Sequence, residues 1–414
     1  MIGTRVVDLL KMLTVFALIL VLLRLKWHLG IVMLVGAVAL GALSGFSPTE
    51  FLRLGFRSAT APTALSLYFA LALIMVLENI LRKTNTLTRM VDSLRGLVGD
   101  HRVVMALMPA IIGLLPSAGG AYFSAPLVEE SATGCVVTGE RKSFVNYWFR
   151  HIWEYISPLY PGFILTAAIF RVSYGSLFTV TIAFSITVVV TGVLWGLRGI
   201  ALPDEPAPAR RVRHDLWGFG VSFAPIAVVM VLVLGFGVNI ALALFLVVVA
   251  LLVYHRYGAG RIVVTFRESV SLKTLLLVFG VMVFEGIMEG SGVVGHVPGA
   301  LASVGVPVAL ILFVLPFLVG LMTGLTIAYV GICFPLLLPL IGATHPDMGM
   351  LAFAFAAGFA GVMYSPVHLC LVLTKDYFKS ELTPIYRIMV LPETMVILVA
   401  LAQMAVLSAG AFAG

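Results

Sequence analysis

Apolar runs long enough to cross a membrane recur from one end of the sequence to the other, separated by short polar breaks. Within each run the apolar residues are continuous and do not alternate, which predicts helices and excludes a transmembrane barrel. In the first half the pattern predicts spans near 7–24, 28–46 and 62–82. A turn-containing stretch at 102–131 follows, then a segment near 143–171 and a span near 174–197. In the second half the spans fall near 216–235, 238–254 and 271–289, followed by a stretch at 305–341 and spans near 348–376 and 388–410. The short amphipathic pieces "TEFLRLGF" and "RIVVTFRESV" are expected to lie in the membrane interface.

The stretch "MPAIIGLLPSAGGAYFSAPLV" (108–128) combines membrane-like flanks with a turn-forming centre. About 13 apolar residues precede Pro116 and about ten follow Gly120, so at roughly 1.5 Å per residue neither arm spans. A re-entrant hairpin is expected, with five crossings and one hairpin in each half.

Composition agrees with this pattern. Of 414 residues, 61% are hydrophobic and 11% charged, and a soluble fold of that length could not cover so much apolar surface. The run Met12 to Leu23 resembles a signal peptide, but no small-residue cleavage site follows, and Arg24-Leu25-Lys26-Trp27 reads as a membrane exit. Cys135, Cys333 and Cys370 have neither metal nor redox spacing. The formal charge of +7 is expected to reflect lipid topology, with no nucleic-acid partner.

The sequence is written twice. Pro109, Gly113, Leu114, Ala121 and Tyr122 recur 207 positions later as Pro316, Gly320, Leu321, Ala328 and Tyr329. The same offset pairs Glu78 with Glu285, Asp8-Leu9 with Asp215-Leu216, and Gly30 with Gly237; an offset of 208 pairs Ser157-Pro158 with Ser365-Pro366. This register predicts a first repeat at 1–200, a proline- and charge-rich linker at 201–213, and a second repeat at 214–414. Five crossings per half invert the second repeat relative to the first. With both termini external, only Arg5, Lys11, Arg53, Arg57 and Arg171 of the 26 Lys and Arg fall outside, as the positive-inside rule requires. The expected fold class is therefore an all-α polytopic membrane protein of two inverted-topology repeats.

Irregular backbone survives at membrane depth only when buried in protein or lining a watery cavity. Four breaks meet that condition. The hairpin tips hold Ser117, Gly119 and Gly120, and Thr323, Gly324 and Thr326; the helix breaks are Ser157-Pro158 and Ser365-Pro366. Free N–H groups at such breaks suit anions and free carbonyls suit cations, so these residues are the candidate substrate site. A Ser-Pro pair by itself is also compatible with a plain proline kink. Ion-coupling candidates are the intramembrane ionisable residues Arg150, His151, Glu154 and His368. Arg150 and Glu154, four apart, are expected to share one helix face and to pair. His368 reads equally as a satisfied core histidine. Glu78 and Glu285 sit near the far ends of matched helices, where capping or pairing with Arg82 competes with cation coupling.

On these features the chain resembles the ion transporter superfamily, which includes divalent anion/sodium symporters, gluconate and citrate carriers and arsenite permeases. Within it, "LLPSAGGAYFSAPL" and "VGLMTGLTIAY" look like the domain-of-unknown-function 401 family of prokaryotic integral membrane proteins. The resemblance implies an elevator mechanism, a homodimer, and a location in the prokaryotic cytoplasmic membrane. The symporters carry Ser-Asn-Thr at each tip; here the positions read Pro-Ser-Ala-Gly-Gly and Thr-Gly-Leu-Thr, without Asn. The leading expectation is a secondary transporter of a small anion, most simply an organic carboxylate, coupled to Na⁺ or H⁺ and needing no cofactor. A cation/proton antiporter is the alternative. Metalloprotease, nucleophile-elbow and nucleotide-binding motifs are absent from the sequence, which disfavours an enzyme or a primary pump. A channel is a further alternative.

Overall fold

The computed structural model describes residues 2–116, 120–201, 212–293 and 306–409, and among these residues it contains helices and no strand. The first half runs α1 (Ile2–Arg24), α2 (Leu29–Leu43), α3 (Pro48–Ala59), α4 (Pro62–Lys83), α5 (Thr86–Leu97), α6 (His101–Ile112), α7 (Gly120–Ser131), α8 (Gly139–Arg150), α9 (Pro161–Phe170) and α10 (Tyr174–Thr191). The second runs α11 (Val212–Met230), α12 (Ile240–Tyr254), α13 (Ala259–Ser269), α14 (Leu272–Gly290), α15 (Val308–Thr323), α16 (Thr326–Ile341), α17 (Met348–Tyr364), α18 (Leu369–Tyr377) and α19 (Leu382–Ala409). Most of the linker expected at 201–213 lies outside the described residues.

Among the described residues, five helical stretches are long and apolar enough to cross a membrane: Pro62–Lys83, Tyr174–Leu197, Val212–Gly235, Met348–Tyr377 and Leu382–Ser408. The pair α13 and α14, bent by 60°, makes a sixth if taken as one span. This is fewer than the ten crossings read from the sequence. The difference is partly one of length: α2 and α12 have 15 residues each, a rise of about 22 Å against a hydrocarbon core of about 30 Å. The fold is that of a multi-pass helical membrane protein.

Local chemistry explains the element ends. Ser47, Asp100, Thr138, Ser173, Asn239, Ser271 and Asp347 each accept a backbone N–H at the start of a helix. Pro48, Pro62 and Pro161 occupy first-turn positions, where the missing N–H costs nothing. The amphipathic α3 and α13 are separate short helices, and they pack on α14 and α4 respectively.

Packing partners are exchanged between the halves. Helix α2 lies against α14 and α12 against α4; α7 lies against α18 and α16 against α9; α10 meets α19; within each half, α6 packs on α8 and α15 on α17. The core is deepest at α17, where nearly every residue from Gly349 to Met363 is buried. Its small residues permit this. A Cβ on Gly361 would lie 2.1 Å from the Phe317 carbonyl oxygen, so the two backbones touch there. Such an approach recurs at matched positions: a Cβ on Gly113 would lie 2.0 Å from the Arg150 oxygen, and one on Gly320 2.2 Å from the Gly358 oxygen. Gly113 and Gly320 are 207 residues apart, and Arg150 and Gly358 are 208 apart.

Candidate functional site

The chain breaks in both halves meet at one cavity of about 240 Å³. Its wall includes Pro116 from the first tip and Gly324, Leu325, Thr326 and Ile327 from the second. Arg150, His151, Glu154, Tyr160, Pro161 and Gly162 come from the first broken helix, and His368, Leu369 and Cys370 from the second. Three helix N-termini therefore face one space. They are those of α9 (N-cap Tyr160), α16 (N-cap Leu325) and α18 (N-cap His368). Each carries partial positive charge on its first N–H groups. The Arg150 guanidinium, on a residue 3% exposed, adds a full charge. The α8 and α15 C-termini reach the same wall through His151 and Gly324, the latter left-handed at φ 64°.

The first broken helix differs from the sequence expectation. Helix α8 ends at Arg150, and a 3₁₀ turn over Ile152–Tyr155 follows, so Arg150 and Glu154 do not occupy successive turns of one α-helix. The tighter winding turns Glu154 toward the opposite half. There Thr326 Oγ1 donates to Glu154 Oε2 at 2.6 Å, and His151 Nε2 stands 3.6 Å from Glu154 Oε1. The Arg150 side chain faces Cys370.

The two histidines meet across the halves. His151 Nδ1 is 2.6 Å from the Tyr147 carbonyl oxygen, and His368 Nδ1 is 2.7 Å from that of Gly324. Their Nε2 atoms are 3.1 Å apart. Cross-half bonds hold this alignment: Asn146 donates to Thr374 Oγ1 at 2.8 Å, the Tyr147 hydroxyl to the Met363 oxygen at 3.1 Å, and Ser143 and Ser380 bond at 2.6 Å. Phe359, the positional counterpart of His151, lies beside the His151 ring with centroids 6.2 Å apart.

The remaining candidates divide. Gly324 and Thr326 line the cavity, whereas Thr323 turns back to donate to the Val319 oxygen at 2.7 Å. Ser157 and Ser365 are buried beside their breaks, where their hydroxyls accept from Leu159 N at 3.2 Å and Val367 N at 3.4 Å. Pro158 is buried, Pro366 is exposed, and neither lines the cavity. Ser117 and Gly119 lie outside the described residues; Gly120 opens α7 and is buried. Glu78 and Arg82 line an adjacent cavity of about 320 Å³ that shares Pro116 and Pro161 with the central one. Glu285 lies elsewhere, among Arg171 and Glu289. A larger cavity, about 580 Å³, includes Ser66, Arg171 and Asn239 but none of the four breaks. With a single charged side chain, itself well exposed, it is a weaker candidate despite its size.

Three residues were missed in the sequence. Tyr160 donates its hydroxyl to the Gly113 oxygen, tying the first break to the end of α6. Cys370, which has no metal spacing to the other cysteines, stands two residues after His368. Glu393 in α19 is 2% exposed, and neither carboxyl oxygen has a hydrogen-bond partner among the described residues. The rule that flags intramembrane ionisable residues applied equally to Glu393, inside "VLPETMV".

Residues 7–407 match the family described as "Protein of unknown function (DUF401)", and the chain belongs to that family. No curated protein matches the chain.

Proposed function

We propose that this member of the DUF401 family is a secondary active transporter of a small anion, with an organic carboxylate as the simplest substrate class. One observation carries the reading: three helix N-termini and the Arg150 guanidinium face a single cavity of about 240 Å³. That volume lies below the range typical of drug-sized ligands, so it suits a small anion. The exchanged packing of the halves and the recurring glycine contact at Gly113 and Gly320 support two inverted repeats, as in the ion transporter superfamily. On that reading the hairpins and broken helices move together as an elevator in the cytoplasmic membrane, within a homodimer. H⁺ or Na⁺ drives the transport.

The cation/proton antiporter remains as a second reading because of Glu393. An ionised carboxylate buried without a partner costs several kcal/mol, so this side chain is suited to exchanging a proton or a cation.

Purified protein in sealed liposomes distinguishes the two. The anion reading expects saturable uptake of one labelled mono- or dicarboxylate, driven by an inward H⁺ or Na⁺ gradient and lost in Arg150→Gln. Cation-dependent proton release, with no uptake of any carboxylate, would reject it in favour of the antiporter.

A further inference from the structure

The two facing imidazoles pose a chemical problem of their own. A carbonyl oxygen can only accept, so the contacts to Tyr147 and Gly324 place a proton on Nδ1 of both His151 and His368. Each neutral ring then presents a bare lone pair at Nε2, and the two lone pairs face each other at 3.1 Å. Two acceptors do not approach so closely unless an electrophile lies between them. A third donor points to its nature. Cys370 Sγ and the two Nε2 atoms all lie within 4.8 Å of one another, and all three residues are buried.

We propose that His151, His368 and Cys370 form a binding site for a borderline-soft divalent metal ion of the Zn²⁺ class. At metal–nitrogen distances of about 2.0–2.1 Å, nitrogens 3.1 Å apart subtend an angle of about 100°, close to tetrahedral. Fixing each ligating imidazole through an Nδ1–H bond to a backbone carbonyl is how proteins orient histidine ligands. Imidazole and thiolate together select zinc-like ions over magnesium or calcium, which require oxygen ligands. Binding displaces the thiol proton, and Arg150, facing the same sulfur, lies beside the resulting thiolate. Three protein ligands leave a fourth position open toward the cavity, where the Glu154 carboxylate or a small anion completes the shell. The ligands come from both halves, 217 residues apart at the histidines, so the ion would clamp the two broken helices together.

The test uses full-length protein in detergent, stripped with a chelator, kept reduced and titrated with Co²⁺ as a spectroscopic substitute for Zn²⁺. The expected result is one equivalent bound per chain. A sulfur-to-cobalt charge-transfer band should appear in the near ultraviolet, with the visible bands of a four-coordinate ion, and Zn²⁺ should bleach both. Cys370→Ser should abolish the charge-transfer band and weaken binding by about 100-fold or more, since even second-shell changes cost 10–100-fold. Cys135→Ser should change neither. His151→Gln and His368→Gln should each weaken binding; gel filtration first establishes that each variant is folded. The near-isosteric Cys370→Ser carries the decision if a histidine variant does not fold. A folded native protein that takes up no stoichiometric Co²⁺ would overturn the proposal and leave a proton shared between the imidazoles. A charge-transfer band that survives Cys370→Ser would also overturn it. The proposal is independent of transport: a cobalt signature without anion uptake would refute the transporter reading alone.

Discussion

Replacing Gly113 by Ala tests the contact that joins the end of α6 to the charged break. The added Cβ would lie 2.0 Å from the Arg150 carbonyl oxygen, whereas ordinary contact begins at 3.4 Å. One of the two backbones must therefore retreat by about 1.4 Å, because no side-chain rotation relieves a clash with a carbonyl. Overpacking of this kind costs about 1–3 kcal/mol, and the upper end is expected where the obstacle is main chain. The displaced carbonyl belongs to Arg150, so the site should loosen together with the fold. Thermal and denaturant unfolding in detergent, followed by tryptophan fluorescence, reads the cost; Trp148 and Trp153 flank the contact. Gly220→Ala is the control. Its Cβ meets nothing within 4 Å, and in a helix the change is neutral or stabilising by up to about 1 kcal/mol. Gly320→Ala, with its Cβ 2.2 Å from the Gly358 oxygen, should lose about as much as Gly113→Ala. Native-like unfolding of Gly113→Ala would refute the close packing of α6 on α8. A loss at Gly113 with none at Gly320 would refute the equivalence of the two contacts.

Three further perturbations address single interactions. Thr326→Val keeps the side chain's shape but removes the donor to Glu154, which should cost about 1.5–3 kcal/mol, with Thr326→Ser restoring it; equal unfolding of Val and native proteins would show that the bond is not formed. Asp100 caps α6, and the adjacent Arg102 holds its carboxyl below the usual carboxylate range. Its stabilising effect is therefore fully present above the unfolded value of about 3.9 and is lost only as pH falls through the lower folded value. Asp100→Ala should cost about 1 kcal/mol at pH 8 and equally at pH 5.5, with the deficit shrinking only in stronger acid; a deficit that already halves at pH 5.5 would contradict this. Glu393→Gln removes a buried ionisable group that has no hydrogen-bond partner among the described residues, so stability at neutral pH should not fall by more than about 1 kcal/mol. A larger loss would mean that the carboxylate has a partner.

The framework was more legible than the chemistry. Continuous apolar runs were enough to predict helices and a multi-pass membrane chain, because burial in lipid leaves so strong a compositional trace. The 3₁₀ turn after Arg150 was not legible, since "YWFRHIWEYISP" carries no mark that distinguishes it from a helix running on to the proline. The approach of His151 to His368 was equally hidden. It depends on how two broken helices from opposite halves pack, and contacts of that separation have no local signal.

The 207-residue sequence register is most informative where it fails. At an offset of 208, Arg150, His151 and Glu154 are matched by Gly358, Phe359 and Val362, while Tyr160 and Gly162 are matched by His368 and Cys370. Matched backbones thus bring a charged cluster from one half against an imidazole and a thiol from the other. Phe359 lies beside the His151 ring, and Gly358 leaves room for the Tyr329 ring, which an added Cβ would strike at 2.3 Å. A strictly repeated sequence would place either two like-charged clusters or two apolar ones around the cavity. The first would face arginine with arginine in a dry interior, and the second would bind nothing polar. Residues that keep the register, Gly113 and Gly320 among them, hold neighbouring backbones in close contact, and residues that depart from it line the cavity and supply its chemistry.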